Sequence, residues 1–201
     1  MQSPSFFDAV PPLVVRDPLA ETLGAADDGV IEYRYVDAVK LAGHSCPTVA
    51  GAWLMTSEAL RRLYGNELPH RGGVRVEVRQ RHDEGVAGVI GSVAGLLTGA
   101  AGDGGFKGLA GRFGRRGLLS YGAAIEGDLR FTRTDTGASV EVACRPEFVE
   151  RPAELKSLMA SALAPDAGPD ARRAFGAAWQ EWVRRIVVDH ADDPALVTVV
   201  G

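Results

Sequence analysis

From Gly73 to Gln80 the chain alternates, with Val74, Val76 and Val78 on one side and Arg75, Glu77 and Arg79 on the other. A period of two marks a strand with one buried face. Two further segments read as a hairpin: Leu129 to Thr134 and Ala138 to Cys144, joined across Thr134-Asp135-Thr136-Gly137. The run Val30 to Val36 is rich in β-branched and aromatic residues and predicts another strand. Elsewhere the period lengthens to that of a helix. Val49, Trp53, Leu60 and Leu63 recur at three- and four-residue spacing and predict a helix from Pro47 to about Tyr64, stopped by Gly65-Asn66. Amphipathic helices are also predicted over Pro152–Leu163 and from Asp170 to about Val188, the latter with Phe175, Trp179, Trp182, Val183 and Ile186 inward.

Gly85 to Leu97 shows no polar face. Its residues are nearly all small or aliphatic, which predicts a central, buried helix. It opens a stretch, Gly85 to Gly122, that holds 13 of the 25 glycines and must be tightly packed or sharply bent. Residues 1–29 contain Pro4, Pro11, Pro12 and Pro18, and read as an arm laid on the surface. The organisation expected is therefore an arm (1–29), a main domain (30–148) and a C-terminal helical extension (149–201) packed on the same domain.

With 201 residues the chain can build one sizeable core. A net charge of −4, with Lys and Arg scattered among carboxylates, argues against a nucleic-acid partner. No apolar stretch approaches the roughly 20 residues of a membrane span. The N-terminus lacks the basic region and apolar run of a signal peptide, and Cys46 and Cys144 lie far apart. These features predict a reducing, cytoplasmic setting, although one long-range disulfide is also compatible with the sequence.

Chemistry concentrates at Gly43-His44-Ser45-Cys46-Pro47. Pro47 suits the first position of a helix, which makes Cys46 or Ser45 the N-cap. A thiol there faces unsatisfied N–H groups and the positive end of the helix dipole, both of which favour thiolate. Imidazole and thiolate are ligands that zinc and copper select. The same pair also suits a small buried cysteine beside a loop histidine, and spacing alone does not separate the two.

Leu41-Ala42-Gly43-His44-Ser45-Cys46-Pro47, the helix ending Leu60-Arg61-Arg62-Leu63-Tyr64-Gly65, the segment Leu97-Thr98-Gly99 and Phe131-Thr132-Arg133-Thr134-Asp135-Thr136-Gly137 together resemble the FmdE family, named for a component of formylmethanofuran dehydrogenase. The likeness spans roughly residues 38 to 144. It implies an α+β fold, a mixed β-sheet packed by helices, and a metal, zinc in most members, held by His44 and Cys46. It implies no particular reaction. Family members often carry a second cysteine after the Thr-Gly, where this chain has Ala100, and one before the buried helix, where it has none. The ligand set therefore differs, and His82, with Asp83 beside it, is the candidate replacement; a solvated loop histidine is its alternative reading.

The run Gly102 to Arg116 joins flexible backbone to Lys107, Arg112, Arg115 and Arg116, the ingredients of a cradle for a small anionic ligand. It is neither a P-loop nor a dinucleotide fingerprint. Three readings follow. The chain is a zinc-binding protein with an open site, acting alone or as an accessory to a larger enzyme; or a metal-independent enzyme with Cys46 as nucleophile; or a structural accessory protein. A homodimer is expected.

Overall fold

The computed structural model, which describes residues 3–200, draws the proline-rich N-terminus into the fold. Strand β1 (Leu13–Arg16) pairs antiparallel with β2 (Val30–Tyr33), Leu13 lying opposite Tyr33 and Arg16 opposite Val30. Between them runs the short helix α1 (Pro18–Thr22), whose N-cap Asp17 accepts hydrogen bonds from Leu19 N and Ala20 N. Ahead of β1, Phe7 meets Tyr35 edge-on at 5.1 Å, and Tyr35 meets Trp53 at 6.0 Å. Phe7, Val10 and Val15 are buried. This segment is thus part of the core, and its prolines shape the connections around a strand.

The strand predicted over Val30–Val36 ends early, because helix α2 (Tyr35–Ala42) begins there. Asp37 accepts from Arg34 N at 2.9 Å and closes the first turn, while Tyr35, Ala38 and Val39 form its buried stripe. Gly43, at φ +77, ends α2 in the left-handed region. Helix α3 (Pro47–Tyr64) has the predicted bounds, with Cys46 as N-cap and Gly65 as C-cap. Every residue from Val49 to Thr56 is buried, so α3 is the most enclosed helix of the fold.

Beneath it lies a mixed sheet ordered β4-β3-β5-β6-β7, formed by β3 (Val74–Val78), β4 (Leu119–Tyr121), β5 (Leu129–Arg133), β6 (Ser139–Cys144) and β7 (Val197–Val200). Only β3 and β4 run parallel; the other neighbours are antiparallel. Val74, Val76 and Val78 are buried, with helix α4 (Ala87–Thr98) packed on β3 and α3 on β5 and β6. On the opposite face Glu77 accepts both arms of Arg130 at 2.7 Å. A sheet covered on one side and charged on the other is the architecture that the alternation predicts. The glycine-rich helix α4 buries Ala87, Gly91, Val93, Ala94, Leu97 and Thr98 while Ser92 stays exposed, so it is enclosed on one face. Gly91 is required there, since a Cβ would overlap the Tyr121 ring.

Helices α5 (Leu155–Ala162) and α6 (Pro169–Arg184) follow, α6 running into a π-helical turn, Arg185–Asp189, that packs on α3 through buried Ile186 and Val187. One continuous core reaches from Phe7 to Val197. Among the described residues no helix is long and apolar enough to cross a membrane.

Candidate functional site

The segment Gly43–Cys46 is held from two sides. Ser45 Oγ lies 3.2 Å from Tyr35 OH, and its carbonyl accepts from Trp179 Nε1 at 2.9 Å and Gln180 Nε2 at 3.1 Å. Tyr35 belongs to α2 and the other two to α6, so side chains from two helices converge on the serine that precedes a third. Their role escaped sequence reasoning. The available signal is that a buried indole N–H requires an acceptor, which says nothing of where the acceptor sits.

With Ser45 anchored, its neighbours diverge in exposure. His44 is exposed, and its Nδ1 lies 2.9 Å from the carbonyl oxygen of Ala42. The ring nitrogen that donates to this carbonyl is Nδ1, which leaves Nε2 as the free lone pair. Cys46 is buried, at 8% exposure, in extended backbone (φ −150), and its side chain makes no capping bond. Both cysteines are free thiols, so the chain has no disulfide between them.

Behind this segment, a cavity of about 190 Å³ separates the first turns of α3 and α4 from the ends of β3 and β6, and Thr48, Gln80, Asp128 and Cys144 contribute its polar atoms. Cys144 rests on the helix backbone, because a Cβ on Gly51 would lie 2.9 Å from its Sγ. Burial, with the Asp128 and Glu147 carboxylates adding to it, pushes the Cys144 thiol up to about 12. It is therefore protonated at neutral pH, whereas a metal ligand or nucleophile needs thiolate. The expected result is that Cys144 in the native protein resists iodoacetamide at pH 7.5 and is alkylated once the chain is unfolded in urea. Rapid native labelling, mapped by peptide mass, would contradict it.

His82 is exposed on the β3–α4 connection, edge-on to Tyr121 with ring centroids 4.8 Å apart. Among the described residues no group of three or more His, Cys, Asp or Glu side chains is placed to hold a metal ion. His44, Cys46 and His82 are thus not gathered as three ligands, and Cys144 does not complete a cluster with them. The local pattern around His82 suited a solvated loop histidine and a ligand equally; its packing on Tyr121 is a tertiary outcome.

The cationic loop divides into exposed and buried members. Lys107, Arg112 and Arg116 are exposed, Arg112 stacking over Phe113 at 4.8 Å. Arg115, expected with them as an anion ligand, is instead buried at 6% exposure and donates through Nη2 to Asp17 at 2.6 Å. Arg71 donates to the other oxygen of Asp17 at 2.9 Å. This carboxylate, 98 positions away from Arg115 in sequence, occupies the arginine that a free anion would have used. The loop starts just beyond the C-terminal end of α4, where Ala101 N donates to Arg115 O and closes its base. The cavity beside Cys46 opens at the other end of α4, by Val86 and Ile90. From Ile90 in the cavity wall to Thr98 at the end of α4 the helix rises about 12 Å.

Compared with known proteins, the chain matches no family model and none of the curated proteins.

Proposed function

We propose that this protein binds a divalent transition metal, zinc by the nature of its donors, at an open site whose protein ligands are His44 Nε2 and Cys46 Sγ. The supporting observation is the ring of His44: its Nδ1 faces a backbone carbonyl, the arrangement that typically orients a ligating histidine, and Nε2 is left outward at the approach to α3. Cys46 supplies a soft donor two residues on, at the N-cap of α3. The likeness to the FmdE family at Gly43–Pro47 points the same way.

Two protein donors leave at least two positions of a tetrahedral ion for solvent or a small ligand, which makes the site exchangeable where a closed structural zinc is not. A metal held so would act as a Lewis acid toward that ligand. The chain's own contribution is orientation. Tyr35, Trp179 and Gln180 fix Ser45, and through it the spacing of His44 and Cys46.

Equilibrium dialysis against zinc, followed by elemental analysis, tests this. The wild type takes up one zinc per chain, His44→Ala and Cys46→Ser lose it, and His82→Ala keeps it. Circular dichroism confirms that each variant is folded. Undiminished zinc in Cys46→Ser would sink the proposal.

A further inference from the structure

Beside the Ser45 anchor the structure carries a second feature that metal binding does not use. Between α5 and α6 lies a groove of about 490 Å³, walled by Leu155, Met159, Trp179 and Trp182 and rimmed by Arg151 and Lys156, with no carboxylate in its lining. That volume lies in the range of small-molecule sites, roughly 300–1,000 Å³. Both indole N–H groups are already spent, Trp179 on Ser45 O at 2.9 Å and Trp182 on Val149 O at 3.2 Å. The rings therefore present only apolar surface to the groove. Met159 is 40% exposed although it has an apolar wall to join.

The two rim cations are likewise free of carboxylate partners. Among the described residues neither Arg151 nor Lys156 has a carboxylate within 4.0 Å. Arg151 lies over the Trp182 ring at 4.7 Å, which holds its guanidinium at the groove mouth. Helix α5 buries only Leu155 and Ala162 and packs chiefly on α6.

We infer that the α5–α6 groove is a binding site for a small anionic amphiphile, a carboxylate with an apolar body, whose tail lies against Trp179, Trp182 and Met159 and whose head group pairs with Arg151 and Lys156. The chemistry follows from the walls: an apolar trough selects a hydrocarbon or aryl body, and two cations with no carboxylate in ion-pair contact select one negative end. Ligand in the groove would touch Trp179, the residue that anchors Ser45, so the groove and the His44–Cys46 segment share one side chain.

The inference does not depend on the metal, and its test uses the full chain free of zinc. Tryptophan fluorescence is followed during titration with decanoate, with decyltrimethylammonium as a cation of the same chain length. Saturable binding of decanoate alone is expected, weakened about tenfold in the double variant Arg151→Gln/Lys156→Gln, as two partly solvated ion pairs at the rim would give. Equal response to the cation, no saturation with decanoate, or unchanged affinity in the double variant would each overturn it. Binding of an acidic amphipathic peptide where decanoate fails would overturn it too, in favour of a protein partner.

Discussion

Asp17→Ala is expected to lower the unfolding free energy by about 3–5 kcal/mol, the range for removing one partner of a buried ion pair. Asp17 is 3% exposed and is the shared acceptor of Arg71 and Arg115, besides capping α1. Its removal strands two guanidinium groups in a poorly solvated place. Nη1 of Arg115 has no hydrogen-bond partner even with Asp17 present, so the loss cannot be made up locally. For a chain of 150–250 residues, where 1 kcal/mol moves the midpoint by roughly 2–4 °C, a fall on the order of 10 °C in Tm should follow. Glu58→Ala is the comparison. Glu58 also pairs with two arginines, Arg61 and Arg62, but on a helix surface where both are more than half exposed, and about 1 kcal/mol or less is expected.

The same carboxylate sets a pH dependence. Burial alone would raise the pKa of Asp17, yet the bond from Arg71 and the charge of Arg115 outweigh it and hold the group below its ordinary value of 3.8. A folded-state pKa below the unfolded one contributes stability that is complete above the unfolded value and is lost as pH falls through the folded one. The stability gap between wild type and Asp17→Asn should therefore be constant near neutrality and close below about pH 4, as urea titrations at several pH values would show. A gap unchanged down to pH 2 would mean that the carboxylate's charge is not what stabilises the latch.

Gly72→Ala is the second large effect, expected at about 3 kcal/mol. Gly72 sits at φ +87, and a Cβ there would overlap the guanidinium of Arg115; one on Gly99, at φ +75, would strike the same Nη1. The two glycines form the slot through which Arg115 reaches Asp17. Filling it costs about 1 kcal/mol for the left-handed backbone and the remainder for the displaced arginine. In an Arg115→Met background only the backbone part should persist, so the double-mutant cycle gives a coupling of about 2 kcal/mol. Additive losses measured by urea unfolding would show that the slot does not act through Arg115.

Gly99 also shows one reason for the crowding of glycine between Gly85 and Gly122. Some of those positions turn the chain, and others, such as Gly91 and Gly99, give way to a large side chain arriving from elsewhere. Composition announces that glycine is needed, and only the incoming partner says why.

Local order was legible because its causes are local. Pro47 and Gly65 bound α3 through φ alone, the valines of β3 declare their face by period, and Thr134–Gly137 turns the chain between β5 and β6. Helix α2 is hidden: Val30 to Val36 has strand composition, while Tyr35, Ala38 and Val39 already carry helical spacing. Strands β4 and β7, of three and four residues, are too short to show a period and exist because β3 and β6 offer them edges. That His44 and Cys46 stand close was visible as spacing, since residues two positions apart cannot be far apart in the fold. What tertiary structure alone decided is the state of each group: that His44 turns outward on the Ala42 carbonyl while Cys46 is buried, that Cys144 is protonated against Gly51, and that Arg115 is bound to Asp17. Each depends on desolvation or on a partner that the local pattern does not name, and neither leaves a periodic trace in sequence.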